Sequence, residues 1–174
     1  AKLTLGAKTR RSYTGGDSPE VFSNDGKGIV TVGSGGKVVA DNTGPDTSQP
    51  NSGEFGSSWV RNGSATAADA RIVVEDGGLF ECNRFSNLKG SVKVNSGGEF
   101  KASRPFENGG VAGSTLYTSS VELGGTMTVG GLVNNGWQNG GSTFQVKKTG
   151  SLTAQKTVLA GGEDAETFTN SQKA

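Results

Sequence analysis

The sequence predicts an all-β fold, a single-domain parallel β-helix (β-solenoid) of about six coils that spans residues 1–174. Three observations predict it: a short pattern recurs along the chain, apolar and polar residues alternate within it with a period of two, and each copy turns on glycine. The alternative is an antiparallel β-sandwich in which each glycine pair forms a hairpin turn. That alternative leaves a third element of the repeat unexplained, so we prefer the β-solenoid.

The first part of each repeat predicts two short strands. An apolar-x-apolar triplet is followed by a glycine turn and then by x-apolar-x-small. Alternation places every second residue inward, so like residues stack on like between coils. Leu3-Thr4-Leu5 is expected to be the first strand of the first repeat. The four inward columns are Val30, Ile72, Val92, Val121 and Phe144; Val32, Val74, Val94, Leu123 and Val146; Val38, Phe80, Phe100, Met127 and Leu152; and Ala40, Cys82, Ala102, Val129 and Ala154.

The second part of each repeat is an apolar residue, any residue and then asparagine. We interpret these asparagines as a structural ladder, because stacked asparagine side chains inside solenoids hydrogen-bond to turns in neighbouring coils. A role as ligands for a bound molecule is the alternative. The predicted ladder consists of Asn24, Asn62, Asn87, Asn108, Asn134 and Asn170.

Insertions separate the predicted strands at two places of the repeat. Residues 41–58, which contain two prolines and many serines, threonines and glycines, are predicted to form a long surface loop. Residues 6–20 and 155–167 occupy the same place in the first and last repeats. The insertions that follow the asparagines are residues 63–70, 109–120 and 136–143.

The composition excludes several classes of function. The 17 Lys and Arg and the 16 Asp and Glu are scattered, so we expect no nucleic-acid partner. No apolar stretch is long enough for a transmembrane helix, so no membrane insertion is expected. Histidine is absent, which removes Ser-His-Asp and Cys-His catalysis and the usual zinc sites. Cys82 fits a column of small core residues, and we expect no metal site and no cofactor.

Two segments carry a resemblance to a known group of proteins. Residues 166–171, Glu-Thr-Phe-Thr-Asn-Ser, and residues 90–98, Gly-Ser-Val-Lys-Val-Asn-Ser-Gly-Gly, resemble the degenerate repeats of secreted bacterial surface proteins, such as autotransporter passenger domains and related adhesins. The resemblance covers most of the chain. It implies a parallel β-helix displayed outside the cell, at the cell surface, which serves in adhesion or as a rigid stalk.

Two functions remain open from the sequence. The preferred one is a non-enzymatic extracellular β-solenoid that acts as an adhesin segment, a stalk or a filament subunit. We expect the chain either to be part of a longer solenoid or to stack head to tail through its end coils. The alternative is a carbohydrate-binding or polysaccharide-cleaving β-helix, such as a phage tail spike or a lyase fragment. Arg84 and Arg104, close together in the repeat, keep cleavage open, whereas Glu81, Glu99 and Glu122 face lysines or stand alone.

Aromatic residues in or beside the loops are the candidate ligand-binding residues. Aromatic faces on loops are natural platforms for stacking of sugars, although most such residues pack against their own coil. A surface glycan is therefore the expected small partner. The candidates are Tyr13, Trp59, Tyr117 and Trp137.

Overall fold

The computed structural model of the 174-residue chain describes residues 2–5, 20–24, 27–40, 59–63, 69–112, 115–131, 133–135, 142–155, 158–160 and 167–170. Twenty β-strands run through these ranges, and none of the residues in them is helical. The same part of the chain holds no helix with the length and apolarity needed to cross a membrane.

Eighteen of the strands belong to three parallel sheets of six strands each, here named sheets I, II and III. Sheet I contains β3 (Ile29–Val32), β6 (Arg71–Val74), β9 (Ser91–Val94), β14 (Ser120–Leu123), β17 (Thr143–Val146) and β20 (Thr167–Asn170). Sheet II contains β1 (Lys2–Leu5), β4 (Lys37–Ala40), β7 (Leu79–Cys82), β10 (Glu99–Ala102), β15 (Thr126–Val129) and β18 (Ser151–Ala154). Sheet III contains β2 (Glu20–Asn24), β5 (Trp59–Asn62), β8 (Arg84–Asn87), β11 (Phe106–Asn108), β16 (Val133–Asn135) and β19 (Val158–Ala160). The other two strands, β12 (Gly110–Ala112) and β13 (Thr115–Tyr117), form an antiparallel hairpin.

Each coil passes through one strand of every sheet, and strands of successive coils pair in parallel. Val92, for example, lies between Ile72 of the preceding coil and Val121 of the following coil. Parallel pairing with this register excludes the antiparallel sandwich, in which chain neighbours would pair. The predicted parallel β-helix of six coils is therefore confirmed.

The inward columns of sheets I and II also match the prediction. Their members are paired in the expected register from coil to coil, and together with the apolar residues of sheet III they form one continuous core. Its centre is aromatic: Phe80 stacks on Phe100 with ring centroids 5.1 Å apart, and Phe85 stacks on Phe106 at 5.0 Å. Phe85 also meets Phe100 edge to face at 5.0 Å, so sheets II and III are joined by aromatic contacts worth about 0.5–1.5 kcal/mol each beyond area burial.

The turn from sheet I into sheet II explains the glycine pairs. Gly35, Gly77 and Gly97 have φ of 68°, 69° and 81°, in the left-handed region that glycine enters without steric cost. The glycine that follows has a different reason. A Cβ at Gly78 would lie 2.4 Å from the carbonyl oxygen of Val32 in the preceding coil, so the turns stack too closely for a methyl group.

Four details differ from the sequence prediction. Leu3-Thr4-Leu5 lies in sheet II beside residues 38–40, and not in the first strand of a repeat. Residues 168–170 lie in sheet I, with Asn170 beside Val146. The sheet III strand of that last coil is β19, inside the predicted loop 155–167, and residues 110–117 of another predicted loop form the β12–β13 hairpin. An apolar-x-apolar triplet suits any of the three inward faces, so only pairing with neighbours decides which sheet a strand joins.

Outward ion pairs cross between coils on sheets I and II. Lys93 pairs with Glu122 at 3.6 Å between Nζ and the nearer carboxylate oxygen, as their register predicts. The register of Glu81 with Lys101 predicts a second such pair. Glu81 pairs instead with Lys37 at 3.2 Å, while the carboxylate of Glu99, on the same strand as Lys101, binds that lysine at 2.7 Å. Exposed pairs of this kind contribute about 0–1 kcal/mol, so the exchange of partners costs little.

Candidate functional site on the outer face of sheet III

The inward asparagines of sheet III form a row of side-chain hydrogen bonds along the solenoid. Asn24 Nδ2 donates to Asn62 Oδ1 at 2.9 Å, and Asn62 Nδ2 donates to Asn87 Oδ1 at 2.8 Å. Asn87 Nδ2 then donates to Asn108 Oδ1 at 2.8 Å, and Asn108 Nδ2 to Asn135 Oδ1 at 2.6 Å. All five side chains are buried.

Each interior carboxamide of this row also donates to the backbone at the start of a sheet I strand, the one that belongs to the following coil and not the next one along the chain. The acceptors are Ser91 O for Asn62 at 3.0 Å, Ser120 O for Asn87 at 3.1 Å and Thr143 O for Asn108 at 2.9 Å. A carboxamide has two N–H groups, and in these residues both are engaged within the fold. These three interior carboxamides therefore offer a bound molecule no N–H group, which favours the structural interpretation over the ligand interpretation.

Two asparagines of the predicted ladder, Asn134 and Asn170, lie outside the observed row. Asn134 pairs in register with Glu107, an outward position, and Asn135 occupies the ladder position beside Asn108. The prediction was one residue out because Leu132-Val133-Asn134-Asn135 contains two overlapping apolar-x-Asn triplets. Asn170 lies in sheet I and is not part of the row.

The outer face of sheet III carries a compact charged cluster. The residue between the apolar residue and the asparagine points outward by alternation, which places Arg61, Ser86 and Glu107 in one register column, with Arg84 two residues before Ser86. Arg84 Nη2 lies 2.7 Å from Glu107 Oε1, and the Ser86 hydroxyl donates to Glu107 Oε2 at 2.7 Å. Both carboxylate oxygens of Glu107 are thus held from the neighbouring strand.

This cluster is sheltered from solvent, unlike the other outward charges. Ser86 is fully buried, and the side chains of Arg84 and Glu107 are 13% and 32% exposed. The ion-paired lysines and glutamates of sheets I and II, by contrast, are 38–51% exposed. Electrostatic interactions strengthen as solvent is withdrawn, so a charge brought to sheet III would interact more strongly than one brought to the other faces.

The insertions of the chain border the same sheet. The connection from sheet I to sheet II is a turn of two to four residues in all five cases: 33–36, 75–78, 95–98, 124–125 and 147–150. Every longer connection enters sheet III from sheet II or leaves it for sheet I, as residues 41–58 and 109–119 do. Sheet III is therefore the face that the chain flanks with inserted segments on both sides.

The four candidate aromatic residues belong to sheet III or to its connections. Trp59 begins β5, with its backbone beside Arg84, and Tyr117 ends β13. Tyr13 and Trp137 lie outside the described residues, in the connections 6–19 and 136–142 that enter and leave sheet III. The stacking of sugars on these residues stays a prediction.

Sequence reasoning missed Arg61, Ser86 and Glu107 as a cluster. The residues that could have revealed the cluster occupy the middle position of the apolar-x-Asn triplets. Their type differs from repeat to repeat, so this position shows no recurring pattern. Reading that column as Arg, Ser and Glu in successive coils would have placed a cation, a hydroxyl and a carboxylate side by side. Arg104, which the sequence placed near Arg84, lies in the turn before β11, where its backbone N–H donates to Asn83 O at 2.8 Å.

The remaining candidate residues are three glutamates and one cysteine that lie on sheets I and II. Glu81, Glu99 and Glu122 form ion pairs with lysines on sheets I and II. Cys82 is a free buried thiol whose pKa is raised by desolvation and, to a smaller extent, by the charge of Glu81. Within the described ranges, no three His, Cys, Asp or Glu side chains are arranged to hold a metal ion.

The fold class of this chain follows from its own sheets: it is a parallel β-solenoid. Comparisons with protein-family models, with curated proteins and with solved structures found no match.

Proposed function

We propose that the chain is a non-enzymatic β-solenoid that acts outside the cell as an adhesive segment, with the outer face of sheet III as its binding face. The observation that carries the proposal is the asymmetry of the coil. Inserted segments border sheet III on both of its sides and sheets I and II on one side only, and the charged cluster of sheet III is the sheltered one among the described residues. Loops set on a rigid scaffold are the usual location of binding residues.

The scaffold suits a rod that presents this face. Six coils at about 4.8 Å each give a body about 29 Å long with a continuous core. The extracellular location and the adhesin type rest on the likeness of the repeats to secreted bacterial surface proteins. The absence of histidine from the sequence supports a binding role over acid–base catalysis.

Removal of one insertion tests the proposal. Ala40 pairs with Cys82 and Trp59 pairs with Arg84, and in the latter coil Asn83 alone connects the two strands. Replacing residues 41–58 by a single asparagine would therefore reproduce a connection that the fold already contains. We expect this variant to keep the far-ultraviolet circular dichroism of the parent and to lose most of its retention on a panel of immobilised glycans.

The matched control is Lys93→Ala on sheet I, which we expect to bind as the parent does. Equal retention of the parent and the deletion variant would mean that residues 41–58 are not part of a binding face. Failure of the parent to bind any glycan of the panel would remove the adhesive function itself.

A second function, cleavage of a polysaccharide, draws on the Arg84–Glu107 pair on the outer face. Incubation of the protein with polygalacturonate, followed by an assay for new reducing ends, separates cleavage from binding. Activity in the parent that is lost in Arg84→Lys would favour the enzyme. We expect no new reducing ends.

Self-association is the third part of the proposal. β1, β2 and β3 form one edge of the three sheets and β18, β19 and β20 the other. Edge strands carry backbone donors and acceptors that a second copy could pair with head to tail. Sedimentation velocity over a range of concentrations tests this, and a strictly monomeric species at the highest concentration would contradict it.

A further inference from the structure

We propose that Asn62 and Asn108 are sites of spontaneous covalent modification, at which the side-chain carboxamide reacts with the following residue whenever the fold opens. Each of them is followed by glycine, Gly63 and Gly109. Glycine has no side chain, so its backbone nitrogen can approach a neighbouring carboxamide with the least hindrance. The inference concerns the asparagine row itself and is independent of the binding function.

The reaction exchanges one amide for another. The backbone nitrogen of Gly63 loses its proton to hydroxide and bonds to Cγ of Asn62, while the bond from Cγ to Nδ2 breaks. Nδ2 takes a proton from water and leaves as ammonia, so a succinimide ring remains. Water then opens the ring at either carbonyl and gives aspartate or isoaspartate, without any change of oxidation state. Asparagine is accordingly one of the thermolabile residues of proteins.

The fold itself requires glycine after these two asparagines. Gly63 and Gly109 have φ of 85° and 73°, in the left-handed region that other residues rarely adopt. A Cβ at Gly63 would in addition overlap the carbonyl oxygen of Leu88 in the following coil. The geometry of the turn therefore produces the dipeptide in which the carboxamide is least protected by its own neighbour.

The native fold blocks the reaction at both partners. The N–H of Gly63 donates to Asn24 O at 2.8 Å, and that of Gly109 donates to Asn87 O at 2.8 Å. The two carboxamides are held by their bonds in the row and are fully buried, so hydroxide and water do not reach them. Ring closure also requires the glycine nitrogen to rotate toward the side chain, away from the extended backbone of β5 and β11. Reaction therefore requires local opening of a coil.

The product cannot resume its place in the row. A carboxylate at position 62 has no N–H to donate, so Asn87 Oδ1 and Ser91 O would each lose a donor. Its charge would be buried against these two acceptors, which is unfavourable. Isoaspartate would in addition lengthen the backbone and displace the residues that follow. Each completed reaction therefore lowers the stability of the solenoid permanently.

The experiment incubates the full chain at pH 8, native and in urea, and follows each asparagine by mass spectrometry of peptides, in which an NH₂ is exchanged for an OH. Asn87 is the internal control, because it lies in the same row but precedes Leu88. In urea we expect Asn62 and Asn108 to convert at least about 10-fold faster than Asn87. In the native chain both should convert at least about 100-fold more slowly than in urea, because stable coils open rarely.

Two variants, each shown to be folded by circular dichroism, test the cause of the difference. Leu88→Gly gives Asn87 the same neighbour as Asn62, so Asn87 should convert as fast as Asn62 in urea and stay slow in the native chain. Asn87→Ala removes an acceptor from Asn62 and a donor from Asn108. It should speed native conversion of both at least about 10-fold, whereas Asn95→Ala should change it by less than about twofold.

Each part of the proposal can be overturned separately. Equal rates in the native and the unfolded chain would mean that the fold does not block the reaction. Equal rates at Asn62 and Asn87 in urea, or no effect of Leu88→Gly in urea, would remove the role of glycine. Refolding of chains that carry aspartate or isoaspartate at position 62, with an unchanged melting temperature, would overturn the permanent loss of stability.

Discussion

Asn87 is the position at which the asparagine row can be tested most sharply. It is fully buried, accepts from Asn62 Nδ2 at 2.8 Å, and donates to Asn108 Oδ1 at 2.8 Å and to Ser120 O at 3.1 Å. Asn87→Ala removes all three hydrogen bonds: it takes the donor from the buried Asn108 Oδ1 and from Ser120 O, and the acceptor from the buried Asn62 Nδ2. At about 0.5–1.5 kcal/mol per bond, with the higher figures for unsatisfied groups, the variant should lose about 2–4 kcal/mol of unfolding free energy.

Asn95→Ala is the matched control for this substitution. Asn95 is half-buried in the turn after β9, and its side chain donates to Glu75 Oε2 at 2.6 Å. The loss of this partly solvated bond should cost less than about 1 kcal/mol. Urea unfolding at pH 7, followed by circular dichroism with unchanged slope, measures both values. Losses within about 0.5 kcal/mol of each other would refute the view that the buried row contributes more than an ordinary surface hydrogen bond.

Asn87→Asp adds a pH dependence to the same test. A buried carboxylate would face Asn108 Oδ1 and Ser120 O, both acceptors, so its pKa in the folded state should rise above the value of about 3.9 in the unfolded chain. The unfolded state then releases its proton first as the pH rises. The variant should therefore lose stability relative to the parent by about 1.4 kcal/mol per pH unit above pH 4, until the folded-state pKa is reached.

Three further experiments, two with paired substitutions and one with a thiol reagent, test the rest of the fold. Phe100→Ala should lower the free energy of unfolding by about 3–5 kcal/mol, because it leaves a cavity at the aromatic centre of the core. The outward substitution Lys93→Ala should lower it by less than about 0.5 kcal/mol. Equal urea midpoints for the two variants would mean that the assignment of Phe100 as inward and Lys93 as outward is wrong. Gly125→Ala would place a Cβ 2.3 Å from Gly98 O and should lower the melting temperature sharply, while Gly33→Ala meets no atom within 4 Å and should not. Cys82, buried and with a raised pKa, should react with a thiol reagent only at the rate of unfolding, and fast labelling of the native protein would contradict its place in the core.

The core could be predicted from the sequence because the same alternation of inward apolar and outward polar residues recurs in every repeat. Five copies of apolar-x-apolar with a period of two leave one register in which Phe80 meets Phe100 and Ala40 meets Cys82. A shift by one residue would turn each strand's apolar residues outward, so the alternation determines the pairing. This is why four columns of the core and the parallel topology follow from residue types alone.

The register at Asn135 could not be obtained in the same way. Alternation allows either Leu132 with Asn134 or Val133 with Asn135 to point inward. The turn before β16 decides between them, because its two glycines lie against the preceding coil. A Cβ at Gly130 would lie 2.2 Å from Ser103 O, and one at Gly131 would lie 2.7 Å from Pro105 N. Stacking of these turns places Val133 opposite Phe106, a contact between coils that the local sequence does not contain.

The charged cluster on sheet III was hidden for a related reason. Arg84 and Ser86 are near in sequence, but Glu107 lies 21 residues after Ser86 and Arg61 lies in a different repeat. Their proximity requires the register of three strands. The low solvent exposure of these side chains depends in addition on which other parts of the folded chain lie near them, and the pattern of a single strand does not specify that.

The direction of the asparagine row has a consequence for how the coils support one another. In all four bonds of the row the donor lies in the coil nearer the N-terminus and the acceptor in the following coil, so the amide dipoles from Asn24 to Asn108 point the same way. Aligned amides polarise one another, and each bond in such a chain is strengthened by its neighbours. A break at Asn87 leaves two short fragments, whereas a break at Asn24 shortens the chain by one member. Replacement of an asparagine by alanine should therefore lower the free energy of unfolding more in the middle of the solenoid than at its end.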